Sequence, residues 1–543
     1  MTFEVSLRKP VEPAAVPAAD EADASASVDD GTVFPQSVGS GGPTPTGVVL
    51  WTRIAPAAYR ATRPVAVTVA EDDAFESVVT RSRIPADEFG PEQDFTLRVD
   101  LDGELEPGSE YYYRFRYDGV VSRTGRCRTL PAPDASPDSV RLAVVVCQHY
   151  QNGYYGAFSH VAEEDVDFVL HLGDYVYDSA DDRYREPNPP TYDGRDVTLP
   201  SGNGVATTLD DFRELYRTYR SDEFLQAAHE RHTFIRCWDD HAVTNNRYWD
   251  YEADAPVAPD HPRGDDPAFV RQLTADGIQA WWEYTPARAD YDPDADHLHD
   301  AFRLWHRLDF GDLVTLLLTD ERLFRSPPPN AGDASRLLPA RPFDDPSATM
   351  LGDDQREWFL DAVRADDARW TAWANEVLSM PFRFGVGPAS FPPNPDAWDG
   401  YTHERDRVFG ALSTAENAVT LTGDMHTTIA GYQELPDGSR AGVEFMTPSV
   451  TSVNIAEAVG VESGLLGRLT QPVLSWVARA MNRQFTYFDS HHWGYSVAEF
   501  TPDALTVTTY SVDKATNAAD ADREPMVRFR VPAGSTEMYR RPV

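Results

Sequence analysis

The sequence predicts an all-β domain followed by a larger α/β domain, and three observations carry that prediction. From Thr32 to Leu130, short β-branched and aromatic segments alternate with turn formers, as in a β-sandwich of about 100 residues. From Val140 onward the order becomes strand, turn, helix, strand, the pattern of α/β units. Within that part, the run Phe168-Val169-Leu170-His171-Leu172 ends in Gly173-Asp174. A strand buried on both faces ends this way, and in parallel sheets ligands collect outside the carboxyl ends of the strands.

In chain order, residues 1–31 are rich in Ala, Pro, Asp and Ser without apolar periodicity and read as a tail. The sandwich, 32–130, draws its strands from Gly47–Ile54, Pro64–Ala70, Phe95–Leu101, Glu110–Tyr117 and Thr124–Thr129. The alternating aromatics of Tyr111–Tyr117 read as core and inter-domain packing rather than as a ligand platform. A proline-rich linker, 131–139, leads into the second domain, 140–543.

There, Arg141–Val146 is a strand ending at Cys147, Ala157–Glu164 a helix, and Phe168–Leu172 the strand that delivers Asp174. Apolar residues at helical spacing fill Asp210–Arg231, and Thr233–Trp238 is a strand ending in Asp239-Asp240-His241. The acidic, aperiodic stretch Arg247–Arg263 reads as a long loop, and Pro267–Tyr284 as a helix. Asp312–Thr319 is a buried strand running into Asp320-Glu321-Arg322, and Asp354–Val363 an amphipathic helix. Trp370–Met380 fits strand or helix. Ala418–Thr422 is a strand ending in Gly423-Asp424-Met425-His426, and Ala456–Met481 a long helix interrupted near Pro472. Strands at Leu505–Val512 and Met526–Val531 close the chain.

With 41% apolar content, the 543 residues bury a large core. The net charge of −40, from 88 acidic against 48 basic residues, gives a field that repels nucleic acid and anionic membrane surfaces, so neither is expected as a general partner. Such charge is tolerable where the Debye length shrinks to about 3 Å in molar salt, so we read it as adaptation to high salt rather than as an ordinary acidic surface. Three widely spaced cysteines make a poor disulfide framework and suit a reduced compartment. No apolar segment follows Arg8-Lys9, and nowhere do 18 uncharged apolar residues run together. The expectation is a chain without signal or membrane span that works in the cytoplasm, or outside the cell if its true start lies upstream; its oligomeric state stays open.

Four predicted strands thus end near Cys147, Asp174, Asp240 and Asp424, each with a metal-competent side chain. A lone Asp after Gly is ordinarily a helix cap. Four endings that carry Cys, Asp with Tyr177 three residues on, Asp-Asp-His and Asp-x-His instead suit two cations sharing a carboxylate and a hydroxide. Such a pair polarises a phosphoryl oxygen and lowers the pKa of the attacking water. Thiolate and phenolate favour an iron-type ion at one position, and carboxylates a harder ion at the other.

The blocks SVGSGGPTPTGVVLWTRI (37–54), VVVCQ (144–148), HLGDYVY (171–177), CWDDHAVTNN (237–246), LTDERLFR (318–325), LGDDQREWF (351–359), WDGY (398–401), LTGDMHT (421–427) and VEFMTPSVTS (443–452) stand in order along the chain. From about Phe34 to Tyr495 the sequence resembles the alkaline phosphatase D-like metallophosphatases, a branch of the calcineurin-like phosphoesterase superfamily. The resemblance implies a fibronectin-like sandwich followed by a four-layer αββα metallophosphatase domain. It also implies a site for Fe3+ and Ca2+, with other divalent metals as alternatives, that hydrolyses small phosphate mono- and diesters.

Carried over by motif, Cys147, Asp174, Tyr177 and His426 are implied as the iron ligands, Asp174 also as the bridge, and Asp240 and Asp424 as ligands on the divalent side. His241 is implied as donor of a hydrogen bond or proton to the phosphate or leaving oxygen, and Asn245 and Asn246 as outer ligands or orienters. Ala242 stands where family members usually carry Glu, which removes a carboxylate from behind His241 and leaves open how the ring is oriented. Asp320 with Arg322 and Arg325 reads equally as a structural ion pair or a phosphate clamp. Cys237 reads as a buried hydrophobe and His171 as a hydrogen-bonded core residue, while His149, His160, His491 and His492 stay unassigned.

The expected reaction is in-line attack of a metal-bridging hydroxide on phosphorus, with His241 assisting departure and no phosphoenzyme. The alternatives are a phospholipase D-like or nucleotide phosphodiesterase on the same scaffold, and a catalytically silent binding protein. The filled core positions argue against the last.

Overall fold

A computed structural model describes residues 14–15, 27–29, 31–185, 187, 189–329, 345–385, 390–461 and 464–543. Most of the tail expected at 1–31 lies outside these residues. Two large sheets organise the rest. The first has ten strands, with Val140–Val145, Phe168–His171, Thr233–Arg236 and Val38–Thr44 side by side and parallel at its centre. Gly494–Phe500, Ala504–Val512 and Arg523–Pro532 continue it on one side, and Gly47–Arg53 and Thr96–Asp100 on the other.

Val145, His171 and Arg236 lie in register, so these three parallel strands end together. That flush ending brings Cys147, Asp174 and Asp240 to one place although the sequence spreads them widely.

The second sheet has seven strands, with Val314–Leu318, Trp370–Asn375, Ala418–Thr422 and Arg440–Met446 parallel. Alternation along its strands decides both faces. Leu316, Ala372 and Leu421 turn towards the first sheet and share one apolar cluster with it, in which Phe168 meets Phe310 at 5.5 Å and Trp370 meets Phe500 at 6.0 Å. Leu317, Trp373 and Ala418 turn the other way, onto the helices Gly352–Arg364 and Thr402–Leu412.

The N-terminal region contributes to two sheets. Val65–Ala70, Val78–Ile84, Glu110–Tyr117 and Gly125–Arg128 form a separate antiparallel sheet, and a second apolar cluster lies between it and Val48 and Leu50 of Gly47–Arg53. Trp51 points the opposite way and donates to the Glu283 carbonyl at 2.8 Å. The strand Val38–Thr44 was hidden by its Gly-Gly-Pro composition. Its Gly41 is needed because a Cβ there would stand 2.0 Å from the Pro286 carbonyl oxygen.

Other elements depart from expectation for local reasons. Trp370–Asn375 is a strand. The stretch 210–231 is two helices, Leu209–Tyr219 and Glu223–Arg231, because Asp222 caps the second through the Phe224 and Leu225 amides. The loop expected at 247–263 contains a short hairpin pairing Tyr248–Asp250 with Ala255–Val257. The helix Gly464–Met481 runs through Pro472 instead of breaking there. All three cysteines are buried and free. Among the described residues, no helix is long and apolar enough to cross a membrane.

Candidate metal centre

The strand ends are backbone-strained where the donors sit. Cys147 (φ 54°), Asp174 (φ 53°), Asp424 (φ 74°) and His426 (φ 53°) all occupy the left-handed region, which costs an L-residue about 1–3 kcal/mol and persists where the surroundings over-determine it. The glycines before the two aspartates answer to close packing. A Cβ on Gly173 would lie 2.6 Å from Asp239 Cβ, and one on Gly423 would lie 2.4 Å from Val146 Cγ2.

Two groups of donors result. Ligand atoms of Cys147, Asp174 and His426 lie within 4.8 Å of one another, as do those of Asp174, Asp240 and His241, so Asp174 belongs to both. Tyr177 joins the first group, its hydroxyl 3.1 Å from His426 Nε2, and is held by a hydrogen bond from Ser452 Oγ at 2.7 Å. His426 Nδ1 bonds the Val453 carbonyl at 2.6 Å, which leaves Nε2 for the site. Asp424 stands outside both groups, accepting from Arg322 at 2.8 Å and from Asn394 at 3.3 Å.

The residues around the donors separate the open readings. His241 Nδ1 bonds buried Asp178 at 2.7 Å, so Asp178 orients the ring that Ala242 leaves without a neighbouring carboxylate. The Asn246 amide N–H donates to Asp240 at 2.8 Å, while the Asn245 and Asn246 side chains both donate to Asp260, at 2.5 and 2.9 Å. Both are thus tied to Asp260, and Asn246 also orients Asp240.

Arg322 is fully buried and reaches Asp239, Asp424 and, at 3.5 Å, Asp240. Arg325 is fully buried on the carbonyls of Arg247 and Asp396. Of the two readings of the arginines, the ion pair describes Arg322, although Asp320 spends its carboxylate on the Arg322 and Leu323 amides. His171 is buried and bonded to Gln148 at 3.0 Å, and the His149 ring packs tilted 4.5 Å from that of Tyr177, with neither ring nitrogen hydrogen-bonded among the described residues.

Sequence reasoning missed Asp178, Asp239, Asn394 and Ser452. Asp178 had a signal, four residues past Asp174 in GDYVYD, and Asp239 precedes Asp240. Asn394 had none.

Charge at the site is crowded. Burial, with Asp239 and Asp240 adding to it and His241 opposing, raises Asp174 to about 8. Burial also pushes the Cys147 thiol, the Tyr177 phenol and Asp424 well up, and nearby carboxylates add to each. Asp240 goes the other way: Arg322 and His241 overcome its burial and hold it below the usual carboxylate range. Against its own burial, His241 is carried up to about 10 by Asp174, Asp240 and Asp178. Burial lowers His426 to about 4, keeping it a neutral acceptor. Thiol, phenol and carboxylates this close ionise together only around a cation, and Asp174 Oδ1 is buried with no hydrogen-bond partner among the described residues. The donor set fits metal.

A family model described as PhoD-like phosphatase matches residues 142–509, and one described as the PhoD-like phosphatase N-terminal domain matches 19–131. The chain belongs to the PhoD-like phosphatase family. It is 32% identical over 433 residues to alkaline phosphatase D of Bacillus subtilis (strain 168), covering 77% of this chain and 69% of that protein. The solved structure of PhoD matches it with a TM-score of 0.77 at 25% identity, covering 94% of this chain and 92% of that one. As a PhoD-like phosphatase the protein is a hydrolase of phosphate esters, and both donor groups fall within residues 142–509, the stretch matched by the PhoD-like phosphatase model.

Proposed function

We propose that the protein hydrolyses small phosphodiesters, phosphomonoesters or both at a dinuclear site of the Fe3+ and Ca2+ type. One observation carries this reading: Asp174 is shared between Cys147 and His426, beside Tyr177, on one side and Asp240, with the His241 ring close by, on the other. Thiolate, phenolate and imidazole suit iron, and the carboxylates of Asp174 and Asp240, with Asp424 beyond them, suit a harder ion. When bound, such a pair polarises the phosphoryl oxygens and makes water nucleophilic at neutral pH.

The chain's own residues do the rest. Asp178 fixes His241 through Nδ1, so Nε2 carries the proton given to the leaving oxygen. Buried Arg322 keeps Asp239, Asp240 and Asp424 in place. We take 140–543 as the catalytic, four-layer αββα part, 32–130 as a fibronectin-like sandwich, and 131–139 as the linker between them. The acidic excess of the chain supports work at high salt.

The test is hydrolysis of a chromogenic phosphodiester beside its monoester, in molar salt with calcium, before and after chelation. Activity lost to the chelator and returned by calcium is the expected result, and the ratio of the two rates assigns the ester class. Folded, iron-loaded protein inactive on both esters would overturn the reading in favour of a silent binding protein.

A further inference from the structure

The helix Gly464–Met481 turns an apolar face to solvent. Leu466 is 51% exposed, Leu469 62%, Val473 57% and Trp476 69%. Their spacing of three and four residues sets them on one stripe. Five of the eleven large exposed apolar side chains among the described residues fall between Val459 and Trp476, so this is a patch and not scatter.

The charge of the segment is as unusual as its exposure. In a chain with 88 acidic residues there is no Asp or Glu between Glu462 and Asp489, while Arg468, Arg479 and Arg483 are exposed there. At 100° per residue, Arg468 and Arg479 run along one edge of the apolar stripe. Beside the helix lies a groove of about 500 Å³ lined in part by Trp476 and Tyr487, the arginines Arg479 and Arg540, and the acids Asp489 and Glu524.

We propose that this helix docks the protein on an anionic lipid surface. Exposed Leu and Trp with arginines along the flank are the composition of a helix lying in a bilayer interface: the apolar face enters the acyl boundary and the guanidinium groups meet lipid phosphates. The net charge of −40 does not forbid this, because beyond a Debye length of about 8 Å at physiological ionic strength, and about 3 Å in molar salt, the acidic surface elsewhere is screened.

A second copy is the poorer occupant. The helix is 18 residues long, so its stripe measures roughly 27 Å by 10 Å, or about 270 Å², against about 800 Å² per partner in a stable interface. An antiparallel two-fold contact through this face would also set the arginine edges against each other.

The placement connects the helix with the catalytic half. Gln471 donates to Asp489 at 2.7 Å, and Asp489 pairs in register with Thr428, two residues beyond His426. A surface held by this helix therefore lies on the side of the molecule where the strand following His426 begins.

The inference is independent of the metal reading, because docking is read without turnover. The experiment is flotation of the full chain with vesicles of phosphatidylglycerol and phosphatidylcholine, comparing the wild type with the double variant Leu469→Glu, Trp476→Glu. The expected result is flotation of the wild type, its loss in the variant, and unchanged hydrolysis of a soluble chromogenic ester, which shows the variant folded. Wild type that stays at the bottom of the gradient, or a variant that floats equally well, overturns the proposal. So does a concentration-dependent dimer in sedimentation velocity that the double variant abolishes, which would make a second copy the occupant.

Discussion

Both sheets hold buried carboxylates, one within a strand and one just past a strand end, and they treat them differently. On the second sheet, Glu444 is fully buried and accepts from the Ser379 amide, the Ser379 hydroxyl, the Met380 amide and the Thr422 hydroxyl, at 2.9, 2.6, 2.9 and 2.8 Å. On the first, Asp174 sits on strained backbone with its Oδ1 buried and unbonded. Burial of an acid therefore does not mark a site by itself. Glu444 is saturated by its neighbours, whereas Asp174 is held by the backbone and keeps an oxygen in reserve.

The contrast breaks first at Asp174. Asp174→Asn keeps a residue type that tolerates left-handed backbone and removes the shared charge, so kcat/KM should fall by about 10³-fold or more, roughly 4 kcal/mol of transition-state stabilisation, with little change in Tm. A variant that keeps most of its turnover would end the bridging assignment. Glu444→Ala should do the reverse. By stranding four buried donors it should cost about 3 kcal/mol in chemical denaturation, while the folded fraction keeps its metal content. Equal stability of variant and wild type would show that saturation is not what holds this acid.

Asp178→Asn sharpens the comparison from the side of orientation. Loss of the carboxylate behind His241 should lower activity about 10- to 100-fold, as losses behind a working group do. It should also move the basic limb of the pH–rate profile to lower pH, since Asp178 favours the protonated ring. An unmoved limb would detach His241 from proton donation.

The smallest effect concerns chelated protein. Asp174 keeps its proton up to about 8 in the folded state, against an ordinary 3.8 for a free aspartate. The unfolded chain therefore binds fewer protons between those limits, and stability should fall as pH rises through that window. Tm measured against pH should slope downward there with chelator and flatten when metal is restored. Parallel curves would mean that the cation does not answer this charge.

Much of this was legible in the sequence, because apolar strands that stop at Gly-Asp announce both a strand and its end. Cys147, Asp174 and Asp240 could be placed on strand ends one at a time, and only the register of three parallel strands shows that the ends are flush. The resemblance supplied the roles that spacing alone left open. What stayed hidden was long-range or compositional. Ser452 meets Tyr177 across 275 residues, the strand Val38–Thr44 was masked by Gly and Pro, and the commitment of Asp424 to Arg322 follows from packing that no local pattern announces.

The pairing of Ser40 and Gly41 with Thr233 and Phe234 bears on how the chain folds. The two hydroxyls that meet there, those of Ser40 and Thr233, are 193 residues apart. On a ribosome the early strand emerges long before its partner and waits with one edge uncovered. Loop closure over such a distance makes assembly slow, and the exposed edge is where misfolded chains join. An isolated catalytic half would inherit the same weakness, because cutting away the N-terminal region bares the Thr233–Arg236 edge beside the strand that carries Asp174.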